Sequence, residues 1–485
     1  MSEIKDLQPQ AIWKNFYLLT QVPRPSGHLE KIQKFLLDWA KDKGVEAHLD
    51  KAGNVIMRKP AYPGMEDRKV VTLQGHMDMV PQKTKDSTHN FETDPIETYI
   101  DGEWVKAKGT TLGSDDGMAV ATIMAIMEDD SIKHGPLEGF ITADEETTMY
   151  GVNHMSGDSL EGTILLNLDN ETEGEMVIGS AGGVNMTATL EYKPIDTDAA
   201  DAAVRVTLHN LLGGHSGLEI NEGRGNANKM MARLVQDAIA NFEACLAEWK
   251  GGNMRNAIPR EAEVVLTLPK ENVPEFKSVI DEWRETFRGE YGHIETGLQL
   301  DCVDVALPTQ IVPAEIQDNL VDALCACHNG VYRFIPEVPS IVETSSNLAI
   351  VEIGGGQVMF KILIRSSRDS MRECLAETLE SAFAMAGMKV ELSGDYPAWQ
   401  PNPDSEIVEL MKEVYRELFN KENLVQVVHA GLECGVIGAH KPGMDMVSFG
   451  PTLRSPHTPN ERCFIPSVDK YWRFVLTTLE RTPKK

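Results

Sequence analysis

Three short apolar runs constrain the fold more than anything else in this chain: Val70 to Gln74, Leu137 to Thr142 and Ile164 to Leu168. Each reads as a short buried strand. Between the first two lies Gly117 to Met127, whose small and apolar residues fit a helix inside a core. Strand, helix and strand in repetition predict an α/β domain with a mostly parallel sheet flanked by helices. Open sheets of that class build their sites at the C-terminal ends of their strands. Here those ends carry Gly75-His76-Met77-Asp78, Glu145-Glu146 and Asp169.

The rest of the chain divides around this unit. Ile32, Phe35, Leu36 and Trp39 fall at helical spacing, with Gly44 as the C-cap. Val45 to Leu49 and Val55 to Arg58 flank Gly53-Asn54 like the arms of a hairpin. After Gly182-Gly183 the pattern changes. Strand-like runs at Val204 to Leu208, Val264 to Leu268 and Val358 to Ile364 alternate with helical runs at Asn226 to Trp249 and Met371 to Met385. That alternation predicts an α+β unit with helices on one face. Three prolines between Tyr396 and Pro403 forbid helix and central strand alike, so this stretch is a connector. A helix from Ser405 to Phe419, an apolar run Met446 to Phe449 and a final helix from Val468 to Glu480 then resume the α/β character. The reading is a split catalytic domain, 1–183 and 396–485, with an inserted α+β domain at 184–395.

A chain of 485 residues is expected to form two domains. Its 74 acidic and 46 basic residues leave a formal charge of −28, which repels nucleic acid and anionic lipid. The acid-bearing start lacks the layout of a signal peptide, and no apolar run approaches the roughly 20 residues of a membrane span. The expected partner is a small substrate, with no nucleic acid and no membrane, and the expected location is the cytoplasm. Seven cysteines scattered from Cys245 to Cys463 do not outline a disulfide framework. Cys325 and Cys327, in an expected helix from Gln317 to His328, have neither zinc-ribbon nor redox spacing.

His76, Asp115, Glu146, Asp169 and His457 stand at strand ends or in Gly-rich or Pro-rich loops, where sites are usually built. Singly, each reads as a surface or capping group. Together, three carboxylates and two neutral imidazoles carry −3, which two divalent cations would turn to +1, a balance suited to a co-catalytic pair. Nitrogen and oxygen donors without thiolate favour Zn2+, with Co2+ or Mn2+ as substitutes. Thr110 to Gly117 contains glycines for a tight turn that would bring a carboxylate between two cations, and lacks the ending of a phosphate loop. Two choices stay open on the residues alone. One is which of Glu145 and Glu146 binds metal and which handles a proton; the other is whether Asp115 or Asp116 faces the cations.

These segments resemble those of the di-zinc metallopeptidases that include carnosinases, aminoacylases and bacterial carboxypeptidases, over nearly the whole chain. The resemblance makes His76 a ligand oriented by Asp78, Asp115 the carboxylate bridging both metals, and Glu145 the general base. Glu146, Asp169 and His457 become the remaining ligands. Longer words are similar to the branch of this family that cleaves unblocked dipeptides, notably those with C-terminal histidine such as carnosine. They are Gly109 to Gly117, Arg255 to Arg260, His429 to Gly435 and Gly450-Pro451-Thr452. The resemblance implies two Zn2+ per subunit, a water between them that loses its proton to Glu145, and a homodimer formed through the inserted domain, which serves as a lid.

Within that insert, Gly213 to Gly217 is no serine-hydrolase elbow, because Leu218 stands where the second glycine belongs. The resemblance instead makes His215 a lid residue that stabilises the oxyanion. Arg365, ending an apolar strand, could grip a substrate carboxylate in bidentate fashion, and Asn256 could donate a further hydrogen bond. His429 and Glu433, in an expected glycine-flanked loop, could pair with the substrate's amino group. A deacylase or broader aminopeptidase on the same scaffold is the rival reading. From another class comes a peptide-binding protein without activity, against which Glu145 weighs, since binding alone has no use for a base beside the ligands.

Overall fold

The first apolar run becomes the strand Val71–His76, the second Leu137–Thr142 and the third Ile164–Asn167. Every residue of the three is buried in the computed structural model, which describes residues 3–336 and 338–485. Val71–His76 lies in the middle and pairs in parallel with both neighbours, Val71 standing opposite Leu137 and Ile164. Asp445–Ser448 adds another parallel strand beside Ile164–Asn167. Antiparallel pairs take over outside this centre: the hairpin Glu46–Leu49 and Val55–Lys59 on one side, and Glu175–Ser180 next to Asp445–Ser448 on the other. The eight-stranded sheet is therefore mixed, parallel only in the middle, where both faces are covered and continuous apolar runs are tolerated.

The helix Ser114–Glu128 crosses between two of those strands and is buried from Ser114 to Met127. It packs on Val71–His76 and on the helix Gln10–Thr20, so it needs apolar residues all round rather than on one stripe. Glu30–Lys43, Glu406–Phe419 and Ile465–Arg481 have ordinary stripes instead, burying Leu36, Met411 and Tyr471 in the same core. Each fully buried apolar side chain such as Leu36 or Met411 contributes about 1.5–3 kcal/mol. Gly44, at φ 70°, closes the first of these helices, and Ser405 caps the second by accepting from Val408 N at 3.1 Å. A four-stranded sheet includes the pair Leu453–Arg454 and Arg462–Phe464. The chain turns back between Arg454 and Arg462, and that turn carries His457 and Glu461.

These elements belong to one unit, made of the chain up to Ser180, Trp399–Val427 and Leu432–Lys485; Ala181–Ala398 and Val428–Gly431 make the other. The edges read from the sequence, 184 and 395, fall just inside 181 and 398, because Gly182–Glu191 and Lys389–Tyr396 are both strands of the second unit. The return of 428–431 to that unit is not readable from composition. Its nine-stranded sheet is antiparallel throughout its paired strands. Along Asp201–His209, Val204, Val206 and Leu208 are buried and Arg205 and Thr207 are half-buried. The buried face forms a core with Ala227–Phe242, Val273–Tyr291, Ala314–Ala326 and Asp369–Met385.

Two expectations need correction. The helical run from Asn226 stops at Phe242 with Glu243 at φ 53°, and Cys245–Gly251 is a strand. Leu246 and Trp249 are buried while Glu248 and Lys250 are exposed, and pairing with Ala262–Pro269 overrides the helical propensity of the segment. Glu433 opens the short helix Glu433–His440 rather than lying in a loop. All seven cysteines are free, and no described helix is long and apolar enough to cross a membrane.

Candidate metal centre

Parallel pairing brings the ends of Val71–His76 and Leu137–Thr142 level, His76 opposite Thr142, so the residues just beyond both strands meet. Ala143 and Asp144 lead to Glu145 and Glu146 at the start of a one-turn helix. Asp144 at φ 56°, Ser455 at φ 56° and His457 at φ 58° all occupy the left-handed region, which costs a non-glycine residue of order 1 kcal/mol or more. Such turns persist where surrounding structure fixes them, and here they deliver side chains to one place. Gly75 contributes in another way: a Cβ there would collide with Asp116 Oδ2 and Ala119 Cβ, so the helix start can press against the strand end only over glycine.

Asp115 stands at the centre. Its Oδ1 lies 3.1 Å from His76 Nε2 and its Oδ2 3.1 Å from His457 Nε2. His457 Nε2 is also 3.0 Å from Glu146 Oε1, and His76 Nε2 is 3.7 Å from Asp169 Oδ1 and 4.0 Å from Glu145 Oε2. Three groups of side chains could each surround a cation: His76 with Asp116 and Asp169, His76 with Glu145 and Glu146, and Asp115 with Glu146 and His457. Asp78 stands behind His76, its Oδ1 3.4 Å from Nδ1. Asp78 also accepts from Glu145 N at 3.0 Å, Glu146 N at 3.2 Å and Ser26 Oγ at 2.8 Å, so one buried carboxylate orients the imidazole and the glutamate pair together.

The donor set fits divalent cations. Two ligand atoms each ~2.1 Å from a common ion stand roughly 3.0–3.5 Å apart, the spacing found between the histidine nitrogens and Asp115. Glu146 Oε1 is buried, with His457 Nε2 at 3.0 Å facing it. Among the described residues no lysine or arginine forms an ion pair with Asp115, Glu145, Glu146 or Asp169, so the two imidazoles are their only cationic partners at ion-pair distance, with the Arg24 guanidinium acting on Asp115 from farther off. That shortage sets the direction in which several of these groups are pushed. Hydrogen bonds to Asp115 and Glu146 push His457 up to about 11. Burial alone would push His76 down, but Asp115, Asp169 and Asp78 reverse this and hold it well above its ordinary value. Burial raises Glu145 and Asp169 well above the usual carboxylate range, helped by neighbouring acids and opposed by His76.

The two open choices look different in three dimensions. Asp116 spends its oxygens on His76 N at 3.2 Å and Ala119 N at 3.3 Å, whereas each oxygen of Asp115 faces a different histidine. Glu146 contacts His457, while Glu145 stands on the His76 side. Of the residues with a structural hold on this centre, Asp116 is already one of the open choices, while Arg24 and Glu461 escaped sequence reasoning. The last two could have been suspected, Arg24 from its place between Pro23 and Pro25 and Glu461 from its closeness to His457.

The second unit holds a cluster of opposite character. His215 Nδ1 accepts from Gly217 N at 3.2 Å and Leu218 N at 3.0 Å, which leaves the proton of the neutral ring on Nε2 as a donor. Burial and the Arg365 guanidinium push this histidine down to about 4, against Glu219. His429 Nε2 meets Ser345 Oγ at 2.7 Å, and burial, Arg365 and His215 push it down to about 3. Arg365 itself is buried, donates to Tyr396 Oη at 2.7 Å, and makes no ion pair among the described residues. Asn256 is exposed, and its backbone oxygen accepts from Ser216 N at 2.8 Å. Glu433 is not with His429. It lies buried in the first unit, where Oε2 accepts from Gln74 Nε2 at 2.5 Å and Thr142 Oγ1 at 2.8 Å, and burial pushes it up to about 7.

Comparison with known proteins adds a family to this geometry. The profile of Peptidase family M20/M25/M40 matches residues 72–481. The chain is 41% identical over 485 residues to the cytosol non-specific dipeptidase of Escherichia coli K12, covering all of both. The crystal structure of aminoacylhistidine dipeptidase from Vibrio alginolyticus is 42% identical with a TM-score of 0.90, over 100% of this chain and 99% of that one. The aminopeptidase PepT of Bacillus cereus, at 16% identity and a TM-score of 0.56 over 98% of each chain, shares the fold.

Proposed function

Because the chain belongs to Peptidase family M20/M25/M40, we propose that it is a metal-dependent dipeptidase acting on unblocked dipeptides, preferentially those with C-terminal histidine such as carnosine. The observation that carries this reading is Asp115, with one oxygen toward each of two histidines and Glu145 alongside. His76, Asp115, Glu146, Asp169 and His457 would hold two Zn2+, or Co2+ or Mn2+ in their place. Such a pair, when bound, polarises a carbonyl and lowers the pKa of water. Glu145 takes the proton of the attacking water and returns it to the leaving amine, a task that suits a carboxylate held by burial well above its usual range. Asp78 keeps His76 and the Glu145 backbone in register.

The cluster of the second unit supplies recognition in this reading. His215, neutral at physiological pH with Nε2–H free to donate, stabilises the oxyanion, and Arg365 with Asn256 holds the substrate carboxylate. His429 stays neutral beside Arg365, so it adds polarity without competing for that carboxylate. Glu433 acts from the first unit, on the substrate's amino group. Self-association through the second unit and a cytoplasmic location complete the proposal.

One panel of substrates tests it: carnosine, other free dipeptides, tripeptides and N-acetyl amino acids, on metal-quantified protein with and without chelator. Activity on free dipeptides that chelation abolishes and Zn2+ restores is expected. Faster cleavage of acetylated amino acids would overturn it. The name of the E. coli relative, a non-specific dipeptidase, favours a broader reading in which carnosine holds no advantage over other dipeptides, and the same panel separates the two.

A further inference from the structure

Glu461 is a charged side chain only 2% exposed, and among the described residues it makes no ion pair. Its partners are backbone N–H groups of one short segment and the Ser114 hydroxyl in it. Oε2 accepts from Leu112 N at 2.7 Å and Gly113 N at 3.0 Å; Oε1 accepts from Ser114 N at 2.7 Å, Ser114 Oγ at 2.7 Å and Asp115 N at 3.2 Å. The loop so gathered ends in Asp115, and the carboxylate that gathers it stands in the turn that bears His457. Arg24, also 2% exposed, completes the lacing from the other side. Its Nη1 donates to Met77 O at 3.1 Å and Asp78 O at 3.0 Å, and its Nη2 donates to Gly113 O. The Gly113 peptide is thus held by its N–H from Glu461 and by its carbonyl from Arg24, with φ at 71°, where glycine is at ease.

We infer that Glu461 is a positioning residue for the metal centre, fixing Asp115 against His457 while Arg24 fixes the same loop against the His76 to Asp78 segment. This deepens the proposed function and rests on it. The loop Leu112 to Asp115 contributes no side chain to the core except Leu112, so without a carboxylate to accept its N–H groups it would have to turn them to water. With Glu461 in place, the separation of Asp115 Oδ2 from His457 Nε2 is set before any cation arrives, and less ordering remains to be done on binding.

Replacing Glu461 with Gln presents an amide donor to a row of donors while keeping the size of the side chain. The test is zinc affinity by competition with a chelating dye, on full-length protein stripped of metal, together with the absorption spectrum of the Co2+-loaded form. Glu461→Gln should weaken zinc binding by about 10- to 100-fold and shift the Co2+ bands, since they report ligand geometry that a merely structural loss would leave alone. Ser114→Ala removes one of the contacts and leaves the carboxylate, so it should weaken zinc by roughly 2- to 10-fold, and it keeps the question answerable should Glu461→Gln not fold. A parent protein that binds zinc, with variants that bind it equally and show the same Co2+ spectrum, overturns this inference alone. A parent that takes up no cation overturns the metal-centre reading and this inference with it.

Discussion

Histidine is treated in opposite ways by the two candidate clusters, one in each unit. In the first, His457 sits among carboxylates and its pKa rises to about 11; in the second, His215 and His429 sit beside a guanidinium and fall to about 4 and about 3. Burial works against the imidazolium in all three, so the sign of the neighbouring charge decides the outcome. An acid-rich pocket short of positive charge is suited to cations. A pocket with one buried arginine and neutral imidazole donors is suited to an anion.

The strongest way to break this contrast is through Glu145, whose role belongs to the acid-rich side alone. Glu145→Gln should retain bound metal and lose about 10² to 10⁴ in kcat, measured as initial rates on a free dipeptide with metal content determined in parallel. Near-normal turnover would remove the base from the mechanism. On the other side, Arg365→Met should raise KM for free dipeptides by roughly 10- to 150-fold with metal content unchanged, the worth of a charged hydrogen bond of about 1.5–3 kcal/mol. An unchanged KM would leave the arginine as a partner of Tyr396 and nothing more.

The smallest effect concerns stability. His429 has a folded value of about 3 against about 6.5 unfolded, so as pH falls the unfolded chain takes up its proton first. The stability that depends on a neutral His429 is complete above pH 6.5 and drains by about 1.4 kcal/mol per unit as pH falls toward 3. Urea unfolding of the parent and of His429→Gln at pH 7, 6 and 5 should therefore give a difference that shrinks as acid is added. A difference independent of pH would mean that His429 is as easily protonated folded as unfolded.

Legibility in the sequence divides along a similar line, between local pattern and distant contact. The parallel centre is readable because Val71–His76 and its neighbours are continuous apolar runs, and a buried strand leaves no other trace. The candidate ligands His76, Glu146 and Asp169 are readable because they stand at or just beyond strand ends. Contacts between remote parts of the chain are not. Asp115 and Asp116 are told apart only by the groups that each carboxylate meets in the folded chain, and Glu461 acts on Asp115, 346 residues earlier, a contact no local pattern encodes. The segment Cys245–Gly251 misleads because its helical character is local while its pairing is not. Glu433 misleads because a glycine-flanked stretch reads as a loop, whereas the carboxylate is drawn inward by Gln74 and Thr142.

The central claim is that one aspartate joins two cations. Diffraction data collected at the zinc absorption edge, from crystals of protein grown with Zn2+, test it most directly. Two anomalous peaks should flank Asp115, one beside His76 and the other beside His457, with an oxygen of that carboxylate directed at each. A single peak, or peaks away from Asp115, would contradict the account.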